Sequence, residues 1–156
     1  MKKLRKGSAL FTASIAEMSN TLTSDIDIPV DNTKIQGILE RDKSPMFVTL
    51  MIAREGVSKN NRNYTPEVID SIAEQINQNH PDAYSGHLTD EERATKNPDV
   101  ETIWLGAVVK EVEGKKTLYA KGYVMPSAKK RREYLQTAKD LGKNVAVSIY
   151  GTAKEA

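Results

Sequence analysis

The chain has 156 residues, enough for one domain with a real core, and its 23 basic and 21 acidic residues leave a net charge of +2. That balance argues against a strong general attraction to nucleic acid or to a membrane surface. Cysteine is absent and there are two histidines, which excludes disulfides, thiolate metal sites and a cysteine nucleophile and disfavours a multi-histidine metal centre.

Lys2, Lys3, Arg5 and Lys6 precede a short apolar stretch. Thr12 and Ser14 interrupt it and Glu17 ends it, so it makes a poor secretion signal. No run approaches the ~20 apolar residues of a membrane span. A short helix over Leu10 to Met18 is one reading of this stretch. Residues 1–43 are rich in Ser, Thr, Asp and Asn, most densely in NTLTSDIDIPVDNTK. They read as a flexible leader or arm, with the compact core expected over residues 44–156.

MFVTLMIA, Met46 to Ala53, is an apolar run of strand length. The loop-like REGVSKNNRNY follows it. Thr65-Pro66-Glu67 opens a helix, with Thr at the N-cap, Pro in the first turn and an acid beside the helix N-terminus. Its apolar stripe is Val68, Ile69, Ile72, Ala73 and Ile76, and it should end near Asn79, before Pro81. A polar stretch leads to two strand-like runs, IWLGAVVKEV and KTLYAKGYVM, joined through EGKK as a hairpin. Ser127 is placed to cap a second helix, AKKRREYLQTAKDLG, with Tyr134, Leu135, Ala138 and Leu141 as its stripe and Gly142 as its stop. NVAVSIYG then alternates Val145, Val147 and Ile149 with Ala146, Ser148 and Tyr150, as a half-buried strand does. The order implies an α+β domain built on a mainly antiparallel, barrel-like sheet with flanking helices.

A serine hydroxyl needs a base before it attacks a carbonyl, and histidine is the usual one. Ser148 reads by itself as a small polar strand residue or as a nucleophile on a rigid element. His80 sits at a helix end, where surface polarity explains it. His87 follows Gly86 in a loop crowded with acids and reads as a surface residue or as a general base. Asp90 and Glu101 are acids near enough in sequence to orient an imidazole, and a merely solvated acidic loop is the plainer alternative. The basic run in AKKRRE reads as a solvated helix face before it reads as a nucleic-acid contact. Arg62 and Tyr64 fit a structural role at the start of the first helix, and Trp104 fits the core or a subunit contact. The histidines and acids lack zinc-ligand spacing, and no glycine-rich phosphate loop occurs.

Three short segments in order carry a resemblance. Asn60-Asn61-Arg62-Asn63-Tyr64-Thr65-Pro66 opens a helix, Gly86-His87-Leu88 follows a turn, and Val147-Ser148-Ile149-Tyr150-Gly151 lies on a later strand. In this order they resemble the prohead core and maturation proteases of tailed bacteriophages, closest to the T4-like kind, over about residues 46–151. The family is thought to share the β-barrel of herpesvirus assemblin proteases. The resemblance implies a serine endopeptidase with Ser148 as nucleophile, His87 as general base and Asp90 or Glu101 as candidate third member. It implies no cofactor and no metal. Its expected partners are scaffold and major capsid proteins and other copies of itself, inside the prohead in the bacterial host cytoplasm, with neither specific nucleic acid nor a membrane involved. Leu88 stands where many relatives have proline after the histidine. Relatives also continue past the serine strand, so residues 44–156 read as the protease core, whole or cut short after that strand. The rival readings are a catalytically incomplete capsid-assembly or scaffolding protein of the same fold and a small nucleic-acid-binding module using Lys129 to Arg132.

Overall fold

The computed structural model describes residues 4–23, 25–57, 63–84 and 100–154. Six strands form one antiparallel sheet: β1 (Leu4–Ser19), β2 (Met46–Arg54), β5 (Asp82–Tyr84), β6 (Val100–Val112), β7 (Lys115–Val124) and β8 (Val145–Lys154), in the order β5-β6-β7-β2-β1-β8. A two-stranded ribbon, β3 (Gly56–Val57) and β4 (Asn63–Tyr64), stands apart. Register shifts interrupt the ladders at Ile15/Glu17, Met51/Ala53, Ala83/Tyr84 and Trp104/Gly106. An extra residue on one strand bends and twists it. The sheet curls until its outer strands, β5 and β8, lie beside each other. The fold is therefore α+β with a nearly closed, barrel-like antiparallel sheet. The β6–β7 hairpin turns through Glu113 and Gly114, both at positive φ (52° and 77°), the backbone that a tight two-residue turn needs.

Strand alternation sends two apolar sets to opposite faces. Val48, Leu50 and Ile52 of β2, Leu118, Ala120 and Val124 of β7, and Val145, Val147 and Ile149 of β8 share one core. Helix α2 (Pro66–Asn79) adds Ile69, Ala73 and Ile76 to it, and α3 (Lys129–Leu141) adds Leu135 and Ala138. Thr65 caps α2 as its sequence implies, accepting the Val68 N–H at 3.2 Å. Asn77 then fastens α2 to β6 through paired bonds with the Ala107 N–H (2.8 Å) and carbonyl (3.0 Å). Two details of α3 differ from expectation. Ala128, not Ser127, is its N-cap, with no side-chain cap. Its stripe is also narrower, because Tyr134 is 44% and Leu141 62% exposed. Of its apolar residues only Leu135 and Ala138, three apart, are buried in the core.

The largest departure concerns the expected flexible arm. The described residues of 1–43 belong to the fold. Leu10 to Met18 is strand rather than helix, because β1 pairs along one side with β8, from Leu4↔Lys154 to Ala13↔Val145, and along the other with β2, from Ser14↔Met51 to Ser19↔Phe47. Phe11 and Ala13 are buried while Thr12 is exposed, a period of two. Beyond β1 the chain crosses the outer face of the sheet and forms a short 3-10 turn, Thr33–Ile35, and helix α1, Gln36–Arg41. Leu22, Val30, Ile35, Ile38 and Leu39 pack there on Phe47, Ile103, Leu105 and Tyr123 as a second core. Isolated apolar residues in a polar, turn-rich sequence suffice for this because the sheet supplies the opposing apolar surface. The crossing segment is tied down by polar groups. Glu17 accepts the N–H groups of Asp25 (3.0 Å) and Ile26 (2.8 Å), Asp31 N–H reaches Leu105 O at 3.1 Å, and Lys34 bonds Asp82 at 2.6 Å.

Two charged groups are buried beneath it. Lys121, 1% exposed, donates to the Leu22 carbonyl and lies 5.7 Å from the centre of the Phe47 ring. Burial lowers its pKa below the usual 10.5, with Glu17 opposing the shift. Asp42, its side chain 3% exposed, accepts from Arg132 at 2.7 Å and Tyr123 at 2.5 Å. Burial pushes its carboxyl up, but the bonds from Arg132 and Tyr123 outweigh burial and leave it below the usual 3.8. Burial, with the Asp42 bond, drives the Tyr123 hydroxyl the other way, far above its ordinary value.

Lys121 holds its proton more weakly folded than unfolded. Its penalty is full below the folded pKa and fades as pH rises from there to 10.5. Lys121→Met should therefore raise the free energy of urea unfolding at neutral pH by on the order of 1 kcal/mol, net of leaving the Leu22 carbonyl without its donor, and should lose that alkaline gain. Asp42 has the opposite sign. Its contribution is present above 3.8 and is lost as pH falls through its lower folded pKa. Asp42→Asn should cost on the order of 3 kcal/mol at pH 7, because Arg132 is left without its anion, and should flatten the acid limb of a stability-versus-pH curve.

Candidate functional site around the free edge of β8

Strand β8 brings Ser148 to a defined place. Val145, Val147 and Ile149 are buried in the core, Ala146 is exposed and Ser148 is half-buried. The hydroxyl thus projects from the side of β8 away from the core, as the alternation in its sequence implies. Leu10 of β1 lies across from it. Among the described residues the hydroxyl has no hydrogen-bond partner.

The backbone of β8 carries more information than that side chain. The carbonyl of Ser148 accepts from Trp104 Nε1 at 3.2 Å, and that of Ala146, on the same edge of the strand, from Arg131 Nη2 at 2.7 Å. Trp104 belongs to β6, is 1% exposed and ties its own N–H to Pro81 O at 3.0 Å. Its ring lies against Gly122 of β7, where a Cβ would stand 3.0 Å from Trp104 Cε3 and Cζ3 and 2.8 Å from Thr102 Cγ2. Arg131 belongs to α3 and stacks over Tyr134, with its guanidinium carbon 5.1 Å from the ring centre. Burial lowers the Arg131 pKa, and the nearby charge of Glu101 opposes that.

Of the residues expected at the site, Ser148 and Glu101 are described. Glu101, half-buried near the start of β6, is near enough to Arg131 for its charge to oppose, without cancelling, the effect of burial there, and its carbonyl accepts from Met125 N at 2.8 Å. His87 and Asp90 lie outside the described residues, as does Arg62. Tyr64 is buried and stacked on Phe11 with ring centres 6.2 Å apart, a packing role. His80 caps α2 in the left-handed conformation (φ 43°), with Nε2 3.7 Å from Asp31 Oδ2. The basic run of α3 divides: Lys129 and Lys130 are exposed, whereas Arg131 holds β8 and Arg132 holds Asp42 together with the carbonyls of Ser44 and Val124. Sequence reasoning therefore missed Trp104 and Arg131 as supports of β8. Their partners are backbone carbonyls, which leave no trace in composition. Among the described residues no three histidine or carboxylate side chains gather as metal ligands. No helix among them is long and apolar enough to cross a membrane.

The fold thus defines a class, an α+β protein whose curled antiparallel sheet is joined at its seam by side chains. No protein-family model matches the chain, and neither does any curated protein or solved structure.

Trp104 is the single tryptophan of the chain, so its emission reports this seam. Gly122→Ala should push the indole off β7. Red-shifted fluorescence and a loss of about 1–3 kcal/mol in urea unfolding are expected; an unchanged spectrum and midpoint would show that the ring has room.

Proposed function

We propose that the chain is a serine endopeptidase of the prohead-maturation kind, with Ser148 as nucleophile and His87 as general base. The observation that carries this reading is the setting of Ser148. It stands half-buried on the outward row of β8, a strand whose alternate residues are locked in the core. Strand β5 flanks β8, and His87 follows Tyr84, the last residue of β5, after two intervening residues. The base is thus encoded next to the strand that borders the nucleophile.

In this reading Ser148 Oγ attacks the scissile carbonyl while His87 takes its proton. His87 then protonates the leaving amine, and water, activated by the same imidazole, releases the acyl group from Ser148. Glu101 answers the charge of Arg131, which leaves Asp90 as the better carboxylate to orient His87. No cofactor takes part. Substrates and partners are phage scaffold and major capsid proteins, met inside the prohead, where copies of this chain also meet one another.

Wild type, Ser148→Ala and His87→Ala, each incubated with scaffold and capsid protein, test this. Wild type should generate fragments, and either variant should lower kcat by on the order of 10³-fold or more, with folding intact by circular dichroism. Equal cleavage by all three would remove Ser148 and His87 from the chemistry. Binding to scaffold without cleavage by any of them would leave the non-enzymatic assembly role instead.

A further inference from the structure

An outer strand of an open sheet holds its place through one ladder only. For β8 that ladder is with β1. On the far side lies β5, three residues long and paired with β6. Among the described residues no backbone ladder joins β5 to β8. A strand bonded along one edge frays and exchanges more readily than one bonded along both.

The donors that reach the carbonyls of Ala146 and Ser148 come from or beside β6, the partner of β5: Trp104 at 3.2 Å and Arg131, near Glu101, at 2.7 Å. We infer that these two carbonyls face the seam and receive side-chain donors in place of a strand neighbour. Neither donor is a mobile surface group. The indole is wedged against Gly122 on a backbone whose N–H bonds Pro81 O, while the guanidinium is stacked on Tyr134 with Glu101 nearby. Antiparallel geometry puts successive backbone groups on alternate edges, so while these two carbonyls face the seam, the N–H groups of Val147 and Ile149 face β1. Donors in the seam and acceptors on β1 therefore clamp the same peptide units from both sides. The clamp includes Ser148, the residue read above as the nucleophile.

We propose that Trp104 and Arg131 are positioning residues that substitute for a missing sheet neighbour, holding β8 so that Ser148 keeps a fixed position in the barrel wall. The part of this concerning catalysis rests on the protease reading; the part concerning the strand does not. Neither residue touches a reacting atom. Their effect passes through the backbone of β8, so loss of either should lower turnover while leaving substrate affinity largely intact.

Trp104→Phe keeps the ring and removes the donor. Arg131→Met keeps the stem and removes the guanidinium, at a half-exposed site, so it serves should the core variant fail to fold. Arg131→Lys restores a donor. Amide hydrogen exchange and steady-state cleavage of scaffold protein are measured on each full-length chain. The expected result is exchange at Val147 and Ile149 faster by about tenfold, the worth of one hydrogen bond, with the amides of β2 and α2 unaffected. The kcat should fall by a similar factor at near-constant KM, and Arg131→Lys should recover part of the loss seen in Arg131→Met. Wild-type exchange at β8 in both Trp104→Phe and Arg131→Met would overturn the proposal. Faster exchange with undiminished kcat would overturn its catalytic part. Faster exchange in a protein that cleaves nothing, wild type included, would support the clamp and count against the protease reading.

Discussion

The ladder between β1 and β8 is the constraint on which the rest of this structure depends. Backbone N–H and carbonyl groups inside a fold must find partners, and β8 finds its main-chain partners in β1 alone among the described residues. β1 in turn passes from β8 to β2 along its length, pairing with the first through Ala13 and with the second from Ser14 onward. One strand thus joins the two ends of the chain to the central sheet. If β1 were a detachable arm, Val145, Val147 and Ile149 would lose the register that keeps them in the core and Ser148 outside it. A slip of one residue would exchange the two faces.

The segment after β1 shows how burial and charge trade against each other. Its apolar residues complete a second core on the outer face of the sheet, and covering that face places Lys121 and Asp42 out of water. The two groups meet the cost differently. Asp42 has a full guanidinium partner, a tyrosine hydroxyl and the Ser44 N–H, enough to keep it ionised. Lys121 has a neutral carbonyl and an aromatic face, contacts that suit an ammonium but do not offset its burial, so its pKa stays lowered. The first arrangement locks α1, β7 and α3 together around one carboxylate. The second tolerates a polar group in order to keep the crossing segment against β7.

The fold was legible in the sequence wherever a periodic pattern met a clear stop. MFVTLMIA, the Thr65-Pro66 helix start, the Gly114 hairpin, Gly142 and the alternation of VAVSIY all appear in the structure where local chemistry put them. Residues 1–43 were illegible for a physical reason. Ser and Thr are compatible with strand and with disorder, and what makes β1 a strand is two long-range ladders that no local signal encodes. The same limit applies to α3. Leu135 and Leu141 are the same residue type at the two edges of one stripe, about 120° apart on the helix, and only the first has a sheet opposite it. For the candidate site, the side-chain placement of Ser148 could be read from a period of two. The donors that hold its carbonyl could not, because Trp104 and Arg131 are distant in sequence and act on backbone.

A nucleophile on a strand, rather than at a helix start or a tight turn, sets particular demands. A strand offers no helix dipole to lower the hydroxyl pKa, so activation must come wholly from a neighbouring base. It offers rigidity only to the extent that both its edges are bonded. In this protein one edge is bonded by β1, and an indole and a guanidinium bond two further carbonyls of the strand. A seventh strand in the seam would hold Ser148 as firmly, but it would extend the sheet across the space between β8 and β5. Side-chain clamping bonds the edge without adding a strand there. That is a physical reason for a barrel-like sheet to stop just short of closure beside the residue proposed to do its chemistry.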